Sequence, residues 1–110
     1  MRCKLRNWWD GRRVAALSQE FYQDSEGSHG TCSEVSLTQY AYPEAIKQAT
    51  FSGKAPAHTG IFDAVDYRRR YPDGRIGSDP SLSSPEHGEK LYHAALEDTT
   101  EDYAAFLGAA

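Results

Sequence analysis

Aliphatic bulk is scarce in this chain: Leu, Ile, Val and Phe supply 17 of its 110 residues. That is about 15 %, below the range usual for a self-sufficient globular core. Net charge is also small, at −4, so low hydrophobicity is not joined to the charge excess that keeps chains disordered. Seven Tyr and two Trp replace part of the missing bulk. Such a chain is expected to complete its core against another surface, either a partner subunit or a further segment of its own domain. A basic excess is missing too, with 12 Lys and Arg against 16 Asp and Glu, which argues against generic nucleic-acid binding. The one basic cluster, Arg68-Arg69-Arg70, is flanked by Asp66 and Asp73 and reads as a solvated face or a set of salt-bridge donors. Cys3 and Cys32 form neither a CxxC pair nor a disulfide framework, which suits a reducing cytoplasm. There is no signal-peptide pattern and no apolar run long enough to cross a bilayer. The length bounds the chain at one domain or part of one.

What the chain does contain is concentrated in His29-Gly30-Thr31-Cys32-Ser33-Glu34-Val35-Ser36. A histidine and a carboxylate five positions apart straddle a loop-to-helix junction. Ser33 is the expected N-cap of a helix running to Tyr42, where Pro43 stops it. Backbone N–H groups, an imidazole and a carboxylate would then converge on one small volume, as acid–base or metal-assisted chemistry requires. The plain structural alternatives stand beside this: His29 as a capping or solvated group, and Glu34 as a first-turn carboxylate favoured by the helix dipole.

Alternation from Arg2 to Trp9 predicts a strand, with Cys3, Leu5, Asn7 and Trp9 on one face and Arg2, Lys4, Arg6 and Trp8 on the other. Val14, Leu17 and Phe21 follow at helical spacing. Residues 24–30 form a loop of mostly small residues able to carry a site. Ile61-Phe62 and Val65–Tyr67 are candidate short strands, and Tyr71-Pro72-Asp73-Gly74 is a turn. Ser84 before Pro85 predicts a capped helix over about 85–107, with Tyr92, Leu96, Tyr103 and Leu107 as its buried stripe and Leu91, Ala95 and Phe106 beside it. Asp79 before Pro80 orders a turn or faces the pocket. His58, His87 and His93 show no ligand spacing.

Three stretches together resemble the creatininase (creatinine amidohydrolase) family. Asn7-Trp8-Trp9-Asp10 is similar to its strand ending in an aromatic-Trp pair. His29 to Ser36 is similar to its His-Ala-Gly-x-x-Glu-Thr-Ser segment. Gly77 to Ser84 followed by Glu86 to Leu91 is similar to its Gly-Asp-Pro entry to the last helix, and the order and intervals agree. The resemblance implies an α/β fold, the C-terminal part of a creatininase-like three-layer α/β/α sandwich, with residues 1–110 as a partial domain lacking the N-terminal metal-binding half. It implies a metal-dependent amidohydrolase acting on non-peptide C–N bonds in cyclic amides or formamides, with zinc or manganese as the divalent metal. By position, His29 matches the proton-transfer histidine, Glu34 the metal-facing glutamate, and Trp9 the tryptophan at the substrate pocket. Glu26, in the segment just before His29, is the further substrate-binding candidate.

The family's Glu-x-His motif, the Asp that follows it and its Asn-Gly-His segment do not occur in this sequence. His29 and Glu34 alone fall short of the three protein ligands a catalytic zinc requires. The residues before His29, Ser25-Glu26-Gly27-Ser28, lack the tryptophan and aspartate of creatininases proper, which argues against creatinine as substrate. The expectation is therefore a small-molecule amidohydrolase fragment inactive alone, with a complementing N-terminal half or a homo-oligomer as partner. A non-catalytic binding module and a truncated pseudoenzyme are the alternatives.

Overall fold

Four α-helices joined by long irregular segments make up the computed structural model, which describes residues 1–51 and 53–109. They are α1 (Arg12–Tyr22), α2 (Cys32–Ala41), α3 (Ala64–Arg70) and α4 (Pro85–Gly108), with single 3-10 turns at Gln23–Ser25, Pro43–Ala45 and Pro80–Leu82. Helix accounts for 56 % of the chain. Among the described residues there is no strand or sheet, only one isolated antiparallel bridge between His29 and Ile76. The α/β/α sandwich expected from the sequence is therefore corrected to a helical fold.

The helices form where capping and spacing direct them. Val14, Leu17 and Phe21 do lie on α1, and Val14 and Tyr22 are its buried residues. Gly11, at the N-cap, has no side chain to offer the orphan N–H groups of the first turn. Asp98 of α4 takes that role: its carboxylate accepts the backbone N–H groups of Arg13 and Val14, each at 3.1 Å. A Cβ on Gly11 would stand 2.0 Å from that carboxylate, so the small residue is what admits the cap. Helix α4 starts as expected, with Ser84 accepting the N–H of His87 at 3.0 Å and Pro85 in the first turn.

Helices α2 and α4 touch backbone to backbone. A Cβ on Gly88 would lie 2.0 Å from the Ser36 carbonyl oxygen. Ser36, fully buried, binds the Tyr22 hydroxyl at 2.6 Å and accepts the Ser84 N–H at 3.2 Å. This ties α1, α2 and the start of α4 to one point. Val14, Tyr22, Cys32, Leu91 and Ala94 form the buried cluster, with Trp8, Leu17, Phe21 and Ala95 packed against it.

Two further expectations fail for physical reasons. Tyr92, Leu96, Tyr103 and Leu107 are 47–61 % exposed, while Gly88, Leu91, Ala94 and Asp98 face inward. Both sets have helical periodicity; small residues at 88 and 94 permit close approach, and Asp98 is held by α1. Residues 1–7 form no strand. Their basic side is drawn onto α4 instead, with Lys4 Nζ 2.5 Å and Arg6 3.8 Å from Asp102, Arg2 bonded to the Ala109 carbonyl, and Leu5 91 % exposed. A strand needs a neighbour for its backbone groups, and the described residues offer none. Likewise Val65–Tyr67 belongs to α3, and Ile61-Phe62 is irregular.

The result is a thin structure. The radius of gyration is 16.1 Å, against about 13 Å for a compact chain near this length. Its surface of 7592 Å² exceeds the about 6,100 Å² of a globular monomer of this mass, in line with the shortage of aliphatic residues.

Candidate functional site

The N-terminus of α2 organises the site. Its cap is Thr31, two residues earlier than the expected Ser33: the hydroxyl of Thr31 accepts the Glu34 N–H, and Glu34 Oε2 accepts the Thr31 N–H at 3.1 Å and its hydroxyl at 2.9 Å. This is a reciprocal capping box. The Ser33 N–H, freed by that arrangement, donates to Glu26 Oε1 at 2.8 Å. Two carboxylates thus sit at the positive end of a ten-residue helix, where the dipole favours them.

His29 is placed by its backbone. Its carbonyl accepts the Ile76 N–H at 3.0 Å and the Ser78 hydroxyl at 3.1 Å, while the Ser28 N–H donates to Ile76 at 2.9 Å. Gly27 enters this bridge with φ +71°, and a Cβ there would meet the Ile76 carbonyl at 2.5 Å. No other residue fits this position without shifting the loop. The His29 side chain is exposed and lies edge-on to Tyr67, ring centres 6.4 Å apart.

These constraints gather the four sequence-predicted residues. Trp9, Glu26, His29 and Glu34 all line one cavity of about 600 Å³, together with Trp8 and Ser18. Trp8 and Trp9 meet edge to face at 5.6 Å; Trp9, 55 % exposed, gives the cavity an apolar part of its lining. Asp79 does not line this cavity. It takes the turn-ordering alternative, its carboxylate accepting the Ser81 N–H and hydroxyl. Cys32 is fully buried, its thiol donating to the carbonyls of Ser25 and Asp79. Burial pushes that thiol up to about 11, so it stays protonated and is no nucleophile near neutral pH.

Sequence reasoning left out His58 and Tyr67. With His29, Ile61 and Ile76 they line a second cavity of about 330 Å³ behind the bridge. No local signal marks them, because residues 58–67 reach the site through Tyr71 and Gly74 and through the contacts of residues 76–79 with residues 25–29. The basic cluster is resolved in part: Arg69 and Arg70 pair with Asp66 at 2.5 and 2.6 Å, whereas Asp73 pairs with Arg75.

A divalent metal asks for more than this set offers. Among the described residues no three His, Cys, Asp or Glu side chains converge on one point. The Glu34 and Glu26 oxygens nearest the helix are already engaged by its N–H groups. The donor set of this chain does not fit a metal centre by itself.

An imidazole, two carboxylates and an indole thus line one concave volume, the kind of apolar cleft with a few polar groups in which small molecules bind. The creatinine amidohydrolase family model matches residues 1–103, and the chain belongs to that family. Membership brings an amidohydrolase-type function on small-molecule amides. No curated protein sequence matches the chain. No helix among the described residues is long and apolar enough to cross a membrane.

Proposed function

We propose that the chain forms the amide-binding and proton-transfer wall of a creatininase-type amidohydrolase, and that a complementing segment supplies the metal-holding groups. The observation that carries this reading is the single cavity lined by Trp9, Glu26, His29 and Glu34. The substrate is a cyclic amide or formamide other than creatinine, seated with its plane against the Trp9 indole. The Glu26 and Glu34 carboxylates accept its N–H groups and favour a neutral or cationic amide head. His29, exposed and lining the cavity, gives a proton to the departing nitrogen as general acid when the C–N bond breaks. Homo-oligomerisation or docking of the complementing half covers the apolar surface that α4 leaves exposed.

The decisive experiment assays formamide and cyclic-amide hydrolysis by the chain with added zinc or manganese. The assay is repeated after co-expression with an N-terminal half bearing the Glu-x-His and Asn-Gly-His motifs. The expected result is no turnover alone, turnover in the complemented protein, and its loss in His29→Gln. Turnover by the isolated chain with stoichiometric metal would overturn the incomplete-ligand reading. Complemented activity that survives His29→Gln would overturn the role of the imidazole.

A further inference from the structure

The backbone of His29 is held firmly, which leaves the direction of its ring to be set by something else. Its carbonyl takes both the Ile76 N–H and the hydroxyl of Ser78, and Ser78 is fully buried. The Ser78 carbonyl in turn accepts the Ala55 N–H and an Arg75 guanidinium N–H, each at 3.1 Å. The groups that hold His29 are therefore held themselves. Its imidazole, by contrast, is exposed, and a side chain on a fixed backbone still has staggered rotamers to choose among.

The choice matters because His29 lines two cavities. Trp9, Glu26 and Glu34 line the first, while Ile61, Tyr67 and Ile76 line the second. The aromatic ring that the imidazole meets is Tyr67, with ring planes at 85° and centres 6.4 Å apart, the edge-to-face geometry that aromatic pairs favour. Tyr67 is well placed to act as a fixed stop. It sits on α3, its hydroxyl donates to the Gly74 carbonyl at 3.0 Å, and its ring packs on the buried Tyr71 with centres 5.2 Å apart. The hydroxyl is thus spent on the backbone, and what Tyr67 offers His29 is the ring.

We infer that Tyr67 is a positioning residue for His29: its ring backs the imidazole from the smaller cavity and favours the rotamer presented to Trp9, Glu26 and Glu34. This rests on the proton-transfer reading above and adds the residue that aims the imidazole. A general acid must stand within hydrogen-bond reach of the atom it protonates. An exposed imidazole that samples several rotamers spends part of its time out of reach, and one directional aromatic contact biases the choice. Tyr67 itself exchanges no proton and touches no reacting atom.

The test uses the chain alone and reads three-bond NMR couplings from the His29 Cγ to its own backbone nitrogen and carbonyl carbon, which report the χ1 populations. The urea midpoint is measured beside them. Wild type should show one dominant rotamer and a nuclear Overhauser contact between the His29 and Tyr67 rings. In Tyr67→Leu the ratio of dominant to minor rotamers should fall about fivefold, the weight of one edge-on aromatic pair. Tyr67→Phe, which keeps the ring, should restore the ratio. Should Tyr67→Leu not fold, Tyr67→Met, also without a ring, takes its place. Averaged couplings in wild type, or no contact between the two rings, overturn the inference without any variant. A ringless variant with a lowered urea midpoint but unchanged couplings also overturns it, because Tyr67 would then be a packing residue only. Proton transfer is judged separately by the complemented His29→Gln protein: its failure leaves these couplings as they are, and averaged couplings leave that assay as it is.

Discussion

The helical block of α1, α2 and α4 and the segment from residue 46 to 79 are held together by different physics. The block is cemented by burial, with Val14, Cys32 and Leu91 at 0–1 % exposure and a backbone contact at Gly88. Among its described residues the 46–79 segment contributes none to that cluster; it buries Tyr71, Ile76 and Ala55 apart from it. Polar groups add to that small packing: the Arg75 guanidinium donates to the carbonyls of Gly53 and Ser78, and the Tyr71 hydroxyl bonds Thr59 and Gly60. His29 lies where the two meet and lines a cavity on each side. The difference teaches that one side of the cavity is fixed by packing in the helical block and the other rests more on exchangeable hydrogen bonds.

The sharpest way to break the block is at Gly88. Gly88→Ala places a Cβ 2.0 Å from the Ser36 carbonyl, and backbone on both sides leaves nothing cheap to move. The expected loss is about 3 kcal/mol, at the severe end for overpacking, read from the urea midpoint. Equal stability of the variant would show that α2 and α4 are further apart than described.

Asp98 is next. Asp98→Ala leaves the Arg13 and Val14 N–H groups without partners in a buried position, at a cost of about 2 kcal/mol. The native group adds a pH signature. Burial pushes its carboxyl up, but the Val14 N–H, the Arg13 guanidinium and the Arg13 N–H outweigh burial, leaving it below the ordinary 3.8. A depressed carboxyl stabilises above its unfolded value and stops doing so as pH falls through its folded one. Stability should therefore be level above about pH 4 on account of this group and decline below it, with the decline shallower in Asp98→Ala. The same slope in both proteins would refute the cap.

These two positions also show how far the chain was legible. Helices at 12–22 and 85–108 followed from apolar spacing and from Ser84-Pro85, both local signals. The loop-to-helix junction that brings His29 and Glu34 to one cavity was legible in their spacing, although the cap is Thr31; that Trp9 and Glu26 line the same cavity was not, because they come from other segments. Local pattern did not reveal which face of α4 turns inward, because the choice rests on what Gly88 and Asp98 meet in other helices. The strand at 2–9 was misread for a related reason: alternation records a capacity for pairing, and pairing needs a second strand. His58 and Tyr67 reach the site through contacts such as the His29–Ile76 bridge, across 47 residues and without local trace.

On the polar side, Tyr71→Phe sharpens the comparison. The ring is 1 % exposed, so its packing survives the change. The hydroxyl, which accepts the Thr59 N–H at 2.8 Å and donates to the Gly60 carbonyl at 3.2 Å, does not. Amide exchange at Thr59 should accelerate roughly fivefold to tenfold, the loss of one ordinary hydrogen bond. Exchange at Val14 and Leu91 should be unchanged. Acceleration in the helical block as well would mean that the two regions unfold as one unit and that the contrast drawn between them is false.

The smallest effect is expected in the arm at residues 1–7, which belongs to neither region. Lys4 and Asp102 are 46 % and 21 % exposed, and water competes for both charges. Exposed pairs of this kind contribute little because ordering two side chains offsets most of the Coulomb attraction, and salt screens the remainder. Lys4→Gln should leave the urea midpoint unchanged within error at 0.15 M salt, with a small deficit appearing only at low ionic strength. The arm nevertheless runs directly into Trp8 and Trp9, so the same variant should be checked through tryptophan fluorescence. If the charged contacts of the arm position the indole wall, the emission maximum shifts without any change in stability. If the Trp8–Trp9 edge contact and the packing of Trp8 on the core suffice, neither quantity moves, and the arm is a tether that the site can do without.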